Sequence, residues 1–239
     1  MDVVICIGPN DYDVAARCIE SVKVFVPRGT IYCIVPSSFP HERSDVVVVR
    51  EDAFPFNKGF IDTAFKTPQR SGWYLQQLLK LYAPIIISQL SDTYLIVDAD
   101  VVFHRPVTFV HNDTIAFNTG TEYHLPYFSH MARLLPGLQK VRAESGICHL
   151  MPMKRHIVAE LMRRVEVFHG KPFWVAFLEC VNSADYPGSG ASEYEILFSF
   201  TLTEFPNDAH VRPIGWRNSD HVDPNYAGVY EAVHHYMRR

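Results

Sequence analysis

Two aspartates separated by one residue follow a short apolar run near the middle of the chain. The run is residues 94–97, and the two aspartates are Asp98 and Asp100. Carboxylate oxygens are the ligands that hard cations such as Mn²⁺ or Mg²⁺ prefer, and these cations share them with substrate phosphates. The pattern therefore predicts a divalent-cation site with both aspartates as ligands. The alternative is a pair of solvated aspartates at a strand-to-loop corner.

The start of the chain has the pattern of an open α/β sheet. Residues 3–7 and 30–35 are apolar runs typical of buried parallel strands, and residues 15–25 repeat apolar side chains at helical spacing. This order places the loop of residues 8–13 at the carboxyl end of the first strand, where open α/β sheets bind ligands. The candidate ligand contacts in this loop are Pro9, Asn10 and Asp11.

The segments leading to the two aspartates continue this pattern. Residues 46–49 indicate a third strand, and residues 51–70 are mixed in character and predict a loop-rich segment. Residues 72–90 have helical periodicity, which Pro84 must kink or divide. The helix leads into the strand at 94–97. We expect an α/β fold with a mostly parallel central sheet flanked by helices.

The second half of the chain is less regular. Helices are predicted over residues 153–168 and 192–200, with a turn-rich segment at 183–190 between them. No repeat, low-complexity tract or linker composition separates two domains. We therefore expect residues 1–239 to form one domain.

Composition and charge exclude several classes of protein. The formal net charge of −4 gives no broad basic field, so we expect no nucleic-acid partner. The five cysteines form no CxxC pair, which favours free thiols and a cytoplasmic location. No apolar stretch approaches the roughly 20 residues of a transmembrane segment, and no export signal is recognised.

Two sequence stretches together resemble a known enzyme class. Residues 70–81 read RSGWYLQQLLKL and residues 94–103 read YLIVDADVVF. This combination resembles the GT-A glycosyltransferases, specifically a bacterial and viral group with GWYxQQxxKL and YLxxDAD motifs. The resemblance implies a Rossmann-like GT-A domain that transfers a hexose from a nucleotide-sugar, with a UDP-sugar favoured and a GDP-sugar possible, to a hydroxyl acceptor such as a glycan. Residues 1–105 would bind donor and metal, and residues 106–239 would bind the acceptor.

The resemblance also implies roles for individual residues around the donor. Asp98 would lie near the ribose and the metal, and Asp100 would ligate the metal directly and act in catalysis. A cation held there would neutralise the departing nucleoside diphosphate. The implied donor contacts on the preceding helix are Arg70, Gln77 and Lys80. Without the resemblance, the glutamine and the lysine are ordinary helix residues, whereas an arginine matches phosphate oxygens with its bidentate fork.

A second segment that resembles this class is residues 144–152. There Ser145 and Gly146 would let the donor sugar approach the backbone, since glycine has no side chain. The alternative is a turn into a buried strand, with His149 a core histidine whose hydrogen bonds are satisfied. The residues themselves do not decide between the two interpretations.

Residues 188–195 indicate a loop followed by a helix start. Ser192 is expected to be the N-cap, with Glu195 in a capping box. The resemblance places an acidic residue near the acceptor at this point, so Glu193 is the candidate general base. The alternative is an acid that is simply favoured in a first helical turn by the helix dipole.

A histidine near the C-terminus completes the metal shell in many enzymes of this class. The chain offers His210, His221, His234 and His235, and we select His221 because it lies in a polar loop beside Arg217.

Two other functions remain open at this stage. Asp98 and the residues after it also match the nucleophile motif of haloacid-dehalogenase-like phosphatases, although no downstream acidic loop of that class is found. A non-catalytic nucleotide- or sugar-binding module is the third possibility. The identity of the sugar and the acceptor, the stereochemistry of transfer and the oligomeric state are not readable from these residues.

Overall fold

Five strands form the central sheet. In the computed structural model their spatial order is β3 (Val47–Arg50), β2 (Ile31–Val35), β1 (Asp2–Cys6), β4 (Thr93–Asp98) and β8 (Leu150–Lys154). The first four strands are parallel, and β8 runs antiparallel to β4. The structure describes residues 1–39, 43–65, 70–234 and 237, with only the backbone of 64 and 65. The predicted α/β fold with a mostly parallel sheet is confirmed.

Two smaller sheets flank the central one. The first has the order β10 (Trp216–Ser219), β11 (Tyr230–Val233) and β5 (Val101–Phe103), and the second has the order β6 (Val110–His111), β7 (Thr114–Phe117) and β9 (Ala209–Val211). Strand β5 follows Asp100 directly, and β11 pairs antiparallel with it. This pairing brings the C-terminal part of the chain beside the two aspartates.

Helices cover both faces of the central sheet. They are α1 (Tyr12–Phe25), α2 (Lys58–Phe65), α3 (Ser71–Ile86), α4 (Leu125–Leu134), α5 (Arg155–His169), α6 (Phe173–Glu179) and α7 (Glu193–Glu204). Successive side chains of a strand point to opposite faces. Accordingly Val4 packs into the core that contains α3, α5 and α7, whereas Val3 and Ile5 pack into the core that contains α1, β5 and β11.

Several boundaries differ from the sequence predictions. Residues 51–65 contain α2 as well as loops, residues 66–69 of the predicted segment lie outside the described residues, and α5 begins at Arg155 because Met153 belongs to β8. Helix α3 ends at Ile86 rather than near residue 90, with Pro84 in its last turn. The guanidinium of Arg155 donates hydrogen bonds to backbone carbonyls that follow this end, at 2.7 Å to Ile87 and 2.9 Å to Leu90. These bonds tie the start of α5 to the backbone that follows α3. Among the described helices, none has both the length and the hydropathy of a transmembrane segment.

Candidate functional site

The two aspartates lie at the carboxyl edge of the parallel sheet. Asp98 is the last residue of β4, and Asp100 lies in the turn before β5. Asp98 is paired in register with Cys6, the last residue of β1. The loop that follows β1 therefore opens at the same edge, with Pro9 and Asn10 exposed and Asp11 partly buried. The structure places this loop where the sequence predicted it.

Asp98 belongs to a buried group of four side chains that we call the lysine cluster, consisting of Lys80, Asp98, Glu193 and Tyr194. The Lys80 Nζ atom lies 2.6 Å from Oδ1 of Asp98 and 2.7 Å from Oε1 of Glu193. The Tyr194 hydroxyl donates to the same Asp98 oxygen at 2.9 Å. The side chain of Lys80 is only 3% exposed. One buried ammonium group therefore lies between two carboxylates.

Burial and charge act in opposite directions on this cluster. Burial raises the pKa of a carboxyl, but Lys80 and His149 together outweigh it at Asp98 and hold the pKa of Asp98 well below its usual range. Burial lowers the pKa of Lys80, but Asp98 and Glu193 outweigh it and raise that pKa. At Glu193 burial is the stronger effect, and its pKa is raised although Lys80 partly offsets this. The cluster thus favours a charged Lys80–Asp98 pair.

Asp100 belongs to a second group, the histidine cluster, consisting of Asp100, His149 and His234. One potential ligand atom from each residue lies within 4.8 Å of the others. Oδ2 of Asp100 is 2.8 Å from Nδ1 of His234, and the two imidazole rings are 4.7 Å apart between centroids. Oδ1 of Asp100 is buried and has no hydrogen-bond partner among the described residues. Such an oxygen is costly unless a ligand satisfies it.

His149 is held in an uncommon backbone conformation. Its φ of 65° is left-handed, a region that residues other than glycine rarely adopt and that is often found at functional sites. Its carbonyl accepts from the Asp98 amide at 2.9 Å, and its Nδ1 lies 3.3 Å from Oδ2 of Asp98. Burial lowers the pKa of His149, but the Asp98 carboxylate outweighs it and raises that pKa. Asp98 therefore joins the two clusters.

His234 reaches the site from the end of β11. The Val233 amide donates to the Asp100 carbonyl at 2.8 Å, and the His234 amide donates to the Ser219 carbonyl at 3.1 Å. The mostly apolar run at 229–233, interrupted by Glu231, is a sequence signal for His234 instead of His221. That run indicates a strand ending at His234, much as residues 94–97 end at Asp98.

His221, the predicted metal ligand, lies outside the histidine cluster. Its side chain is 74% exposed, and its Nδ1 contacts Oδ1 of the neighbouring Asp220 at 2.5 Å. The polar loop that suggested it is a surface turn between β10 and β11, and the group of described residues that could hold an ion contains His149 and His234 instead. His210 is an exposed residue of β9, and His235 lies outside the described residues.

Asp98 was also predicted to be a metal ligand, and that role stays a prediction. It is not part of the group whose atoms could hold an ion. Its oxygens contact Lys80 and Tyr194 on one side and His149 on the other. Its carboxylate is therefore occupied by protein partners.

Ser145 and Gly146 pack against α7. The Ser145 hydroxyl donates to the buried carboxylate of Glu195, and a Cβ atom on Gly146 would lie 2.5 Å from Cβ of Phe198. The Cβ side of Gly146 therefore faces α7, and the approach of a donor sugar to this backbone stays a prediction. Ser192 is the N-cap of α7, as predicted, and accepts from the Glu195 amide. The Glu195 side chain contacts Ser145 instead of completing a capping box.

The predicted donor contacts Arg70 and Gln77 bind residues just before α7 and at its start. Nη2 of Arg70 donates to the Ser189 hydroxyl at 3.2 Å, and Oε1 of Gln77 accepts from the Glu193 amide at 3.0 Å. Gln77 is buried, so both it and Lys80 contact α7 rather than open space. Arg70 is exposed and stays accessible to a ligand.

The fold and the site define an α/β protein with a candidate divalent-cation centre at the carboxyl edge of its sheet. The chain belongs to a family of unknown function, DUF6492, whose model matches residues 15–207. The comparison with curated proteins gave no match.

One solved structure similar to this chain is the apo form of mouse xyloside xylosyltransferase 1. The two chains are 11% identical, the alignment covers 90% of this chain and 86% of the mouse chain, and the TM-score is 0.44. At this level of similarity, functional inference depends on the side chains described above.

Proposed function

We propose that this protein is a metal-dependent glycosyltransferase that transfers a hexose from a nucleotide-sugar to a hydroxyl acceptor such as a glycan. The observation that carries the proposal is the histidine cluster, in which Asp100 lies within ligand distance of His149 and His234 and its buried Oδ1 has no partner among the described residues. The cluster lies at the sheet edge where open α/β folds bind their ligands. The motifs at 70–81 and 94–103 add the resemblance to GT-A enzymes.

The donor atoms of the histidine cluster fit a divalent cation. Asp100, His149 and His234 would hold it with one carboxylate and two imidazoles. Mg²⁺ prefers oxygen ligands and near-ideal octahedral geometry, whereas imidazole suits the transition metals. Of the two predicted cations, Mn²⁺ is therefore the better proposal. When bound, the cation would supply positive charge for the departing diphosphate.

The chain's own residues would position the donor and hold the site together. The loop of Pro9, Asn10 and Asp11 would contact the nucleoside, since it opens beside the end of β4. Arg70 would bind a phosphate or the acceptor from the exposed start of α3. UDP is the favoured nucleotide and GDP is the alternative, as the resemblance implies.

Glu193 receives a different proposed role from general base. A general base must come within hydrogen-bond reach of the acceptor hydroxyl. Glu193 is 3% exposed, and its Oε1 is bound to Lys80. We propose that it balances the charge of Lys80 and so keeps Asp98 in place beside His149.

We further propose one domain and a cytoplasmic location. Each of the two cores contains residues from both halves of the chain, which supports a single unit. All five cysteines are unpaired, which is usual in a reducing compartment.

A panel of nucleotides tests the proposed function. Thermal unfolding is measured with UDP, GDP, other nucleoside diphosphates and their sugars, with and without Mn²⁺. Because a ligand that binds only the folded state stabilises it, we expect a Mn²⁺-dependent rise in Tm with one nucleotide and none in Asp100→Asn. Release of that nucleoside diphosphate from its sugar then tests turnover.

Other outcomes would contradict the proposal. Hydrolysis of an aryl phosphate with Mg²⁺ would favour the phosphatase alternative, in which Asp98 attacks phosphorus. Binding of nucleotide with Mn²⁺, without donor hydrolysis or transfer to any acceptor, would favour the binding module.

A further inference from the structure

We propose that Asn218 is a positioning residue for the metal site: it holds the His234 ring so that Nδ1 faces Asp100 and the cation. This inference rests on the proposed metal-dependent function, because it concerns the same histidine cluster.

The contacts of the two ring nitrogens carry the proposal. Nε2 of His234 lies 3.0 Å from Oδ1 of Asn218, and Nδ1 lies 2.8 Å from Oδ2 of Asp100. An amide oxygen only accepts hydrogen bonds, so Nε2 must carry the hydrogen in this contact. With the hydrogen on Nε2, Nδ1 is the ring nitrogen left to bind a cation beside Oδ2 of Asp100. Asn218 therefore favours the tautomer in which Nδ1 can bind a metal.

The strands on which these residues lie fix their relative position. Asn218 in β10 is paired with Ala232 in β11, two residues before His234. Next to Asn218, the guanidinium of Arg217 donates to Oε2 of the fully buried Glu231 at 3.1 Å. The amide of Asp223 donates to the other Glu231 oxygen at 2.7 Å. Asn218 and His234 are thus held in place by the β10–β11 pair, which the hydrogen bonds to the buried Glu231 stabilise.

His149 has the corresponding arrangement on the other side of the site. Its Nδ1 lies 3.3 Å from Oδ2 of Asp98, which leaves Nε2 as the nitrogen for a metal. A partner on the second ring nitrogen is usual for histidines that bind metals, because it fixes the tautomer and the ring orientation. Asp98 and Asn218 would therefore orient the two histidines through opposite ring nitrogens.

Mn²⁺ titration by calorimetry of the whole protein tests the role of Asn218. Asn218→Leu keeps a similar size but loses the acceptor, and we expect its affinity for Mn²⁺ to fall about 10- to 100-fold. Asn218→Asp keeps an acceptor and is expected to bind at least as tightly as wild type. Asn207→Leu, at an exposed position before β9, is the matched control and is expected to be unchanged.

A second measurement separates positioning from stability. Asn218 is itself exposed, so we expect all variants to unfold at similar temperatures in EDTA. The visible spectrum of bound Co²⁺ reports ligand geometry and should change in Asn218→Leu but not in Asn207→Leu. Equal Mn²⁺ affinities of wild type and Asn218→Leu, or equal losses in the Leu and Asp variants, overturn the inference and leave the metal site standing. Absence of Mn²⁺ binding by wild type overturns both the inference and the proposed function.

Discussion

Asp98 and Asp100 are two residues apart, yet they belong to clusters of opposite character. In the lysine cluster, a cation from the protein lies between two carboxylates, at 2.6 Å from Asp98 and 2.7 Å from Glu193. In the histidine cluster, Asp100 faces two imidazoles, and its Oδ1 is buried without a partner among the described residues. The first cluster is complete within the chain, whereas the second is suited to a cation from solution.

The difference shows that the partners, and not the residue type, decide what each aspartate does. Lys80 comes from α3 and Glu193 from the start of α7, so Asp98 is enclosed by helices on one face of the sheet. His149 and His234 approach Asp100 from the loop before β8 and from the end of β11. Asp98 touches both groups, through Lys80 and through His149.

The largest expected effect comes from breaking the lysine cluster. Lys80→Met removes the ammonium and leaves two buried carboxylates without their counter-ion. Removing one partner of a buried ion pair costs about 3–5 kcal/mol, and we expect a loss of that size in the free energy of unfolding. Urea denaturation measures it.

An exposed lysine provides the control for this variant. Lys58 pairs with Asp62 four residues later on the surface of α2, and exposed pairs of this kind contribute little. Lys58→Met should leave the free energy of unfolding nearly unchanged. If Lys80→Met were as stable as Lys58→Met, the lysine cluster would not be a compensated buried pair.

A smaller effect on the free energy of unfolding is expected at Gly146, which packs against α7. A Cβ atom on Gly146 would lie 2.5 Å from Cβ of Phe198 and 3.0 Å from the Tyr194 carbonyl. Gly146→Ala should therefore push on the start of α7 and lower the free energy of unfolding by about 1–3 kcal/mol. Gly72→Ala is the control, because its Cβ would meet nothing within 4 Å in α3. That helical substitution should be neutral or stabilising, and equal effects of the two would contradict the packing role.

The smallest effect concerns a buried histidine that has no carboxylate beside it. His130 donates from Nε2 to the Phe177 carbonyl at 2.8 Å, and burial lowers its pKa to about 4 from its ordinary value of 6.5. Because the unfolded chain binds the proton first, this histidine's contribution to stability is complete above pH 6.5 and is lost as the pH falls towards 4.

Unfolding at two pH values tests the lowered pKa of His130. Between pH 6.5 and 5.0 we expect wild type to lose about 1.5 kcal/mol more than His130→Gln, whose amide can still donate to Phe177. Parallel losses in the two proteins would show that His130 does not titrate below its ordinary range.

The sequence predicted the elements that depend on local pattern. The parallel sheet, the position of Asp98 and Asp100 at a strand end and the N-cap role of Ser192 are confirmed, because apolar runs and capping residues act over a few positions. The partners of these residues were not predictable in this way. His234 meets Asp100 across 134 residues and Lys80 meets Glu193 across 113, and no local pattern encodes such contacts.

In the proposed site, Asp100 binds the cation directly and Asp98 does not. Calorimetric titration with Mn²⁺ of wild type, Asp98→Asn and Asp100→Asn tests it directly. We predict no detectable binding by Asp100→Asn, and weakened but measurable binding by Asp98→Asn, since an amide can still contact His149. Loss of binding in Asp98→Asn with binding retained in Asp100→Asn would contradict the account.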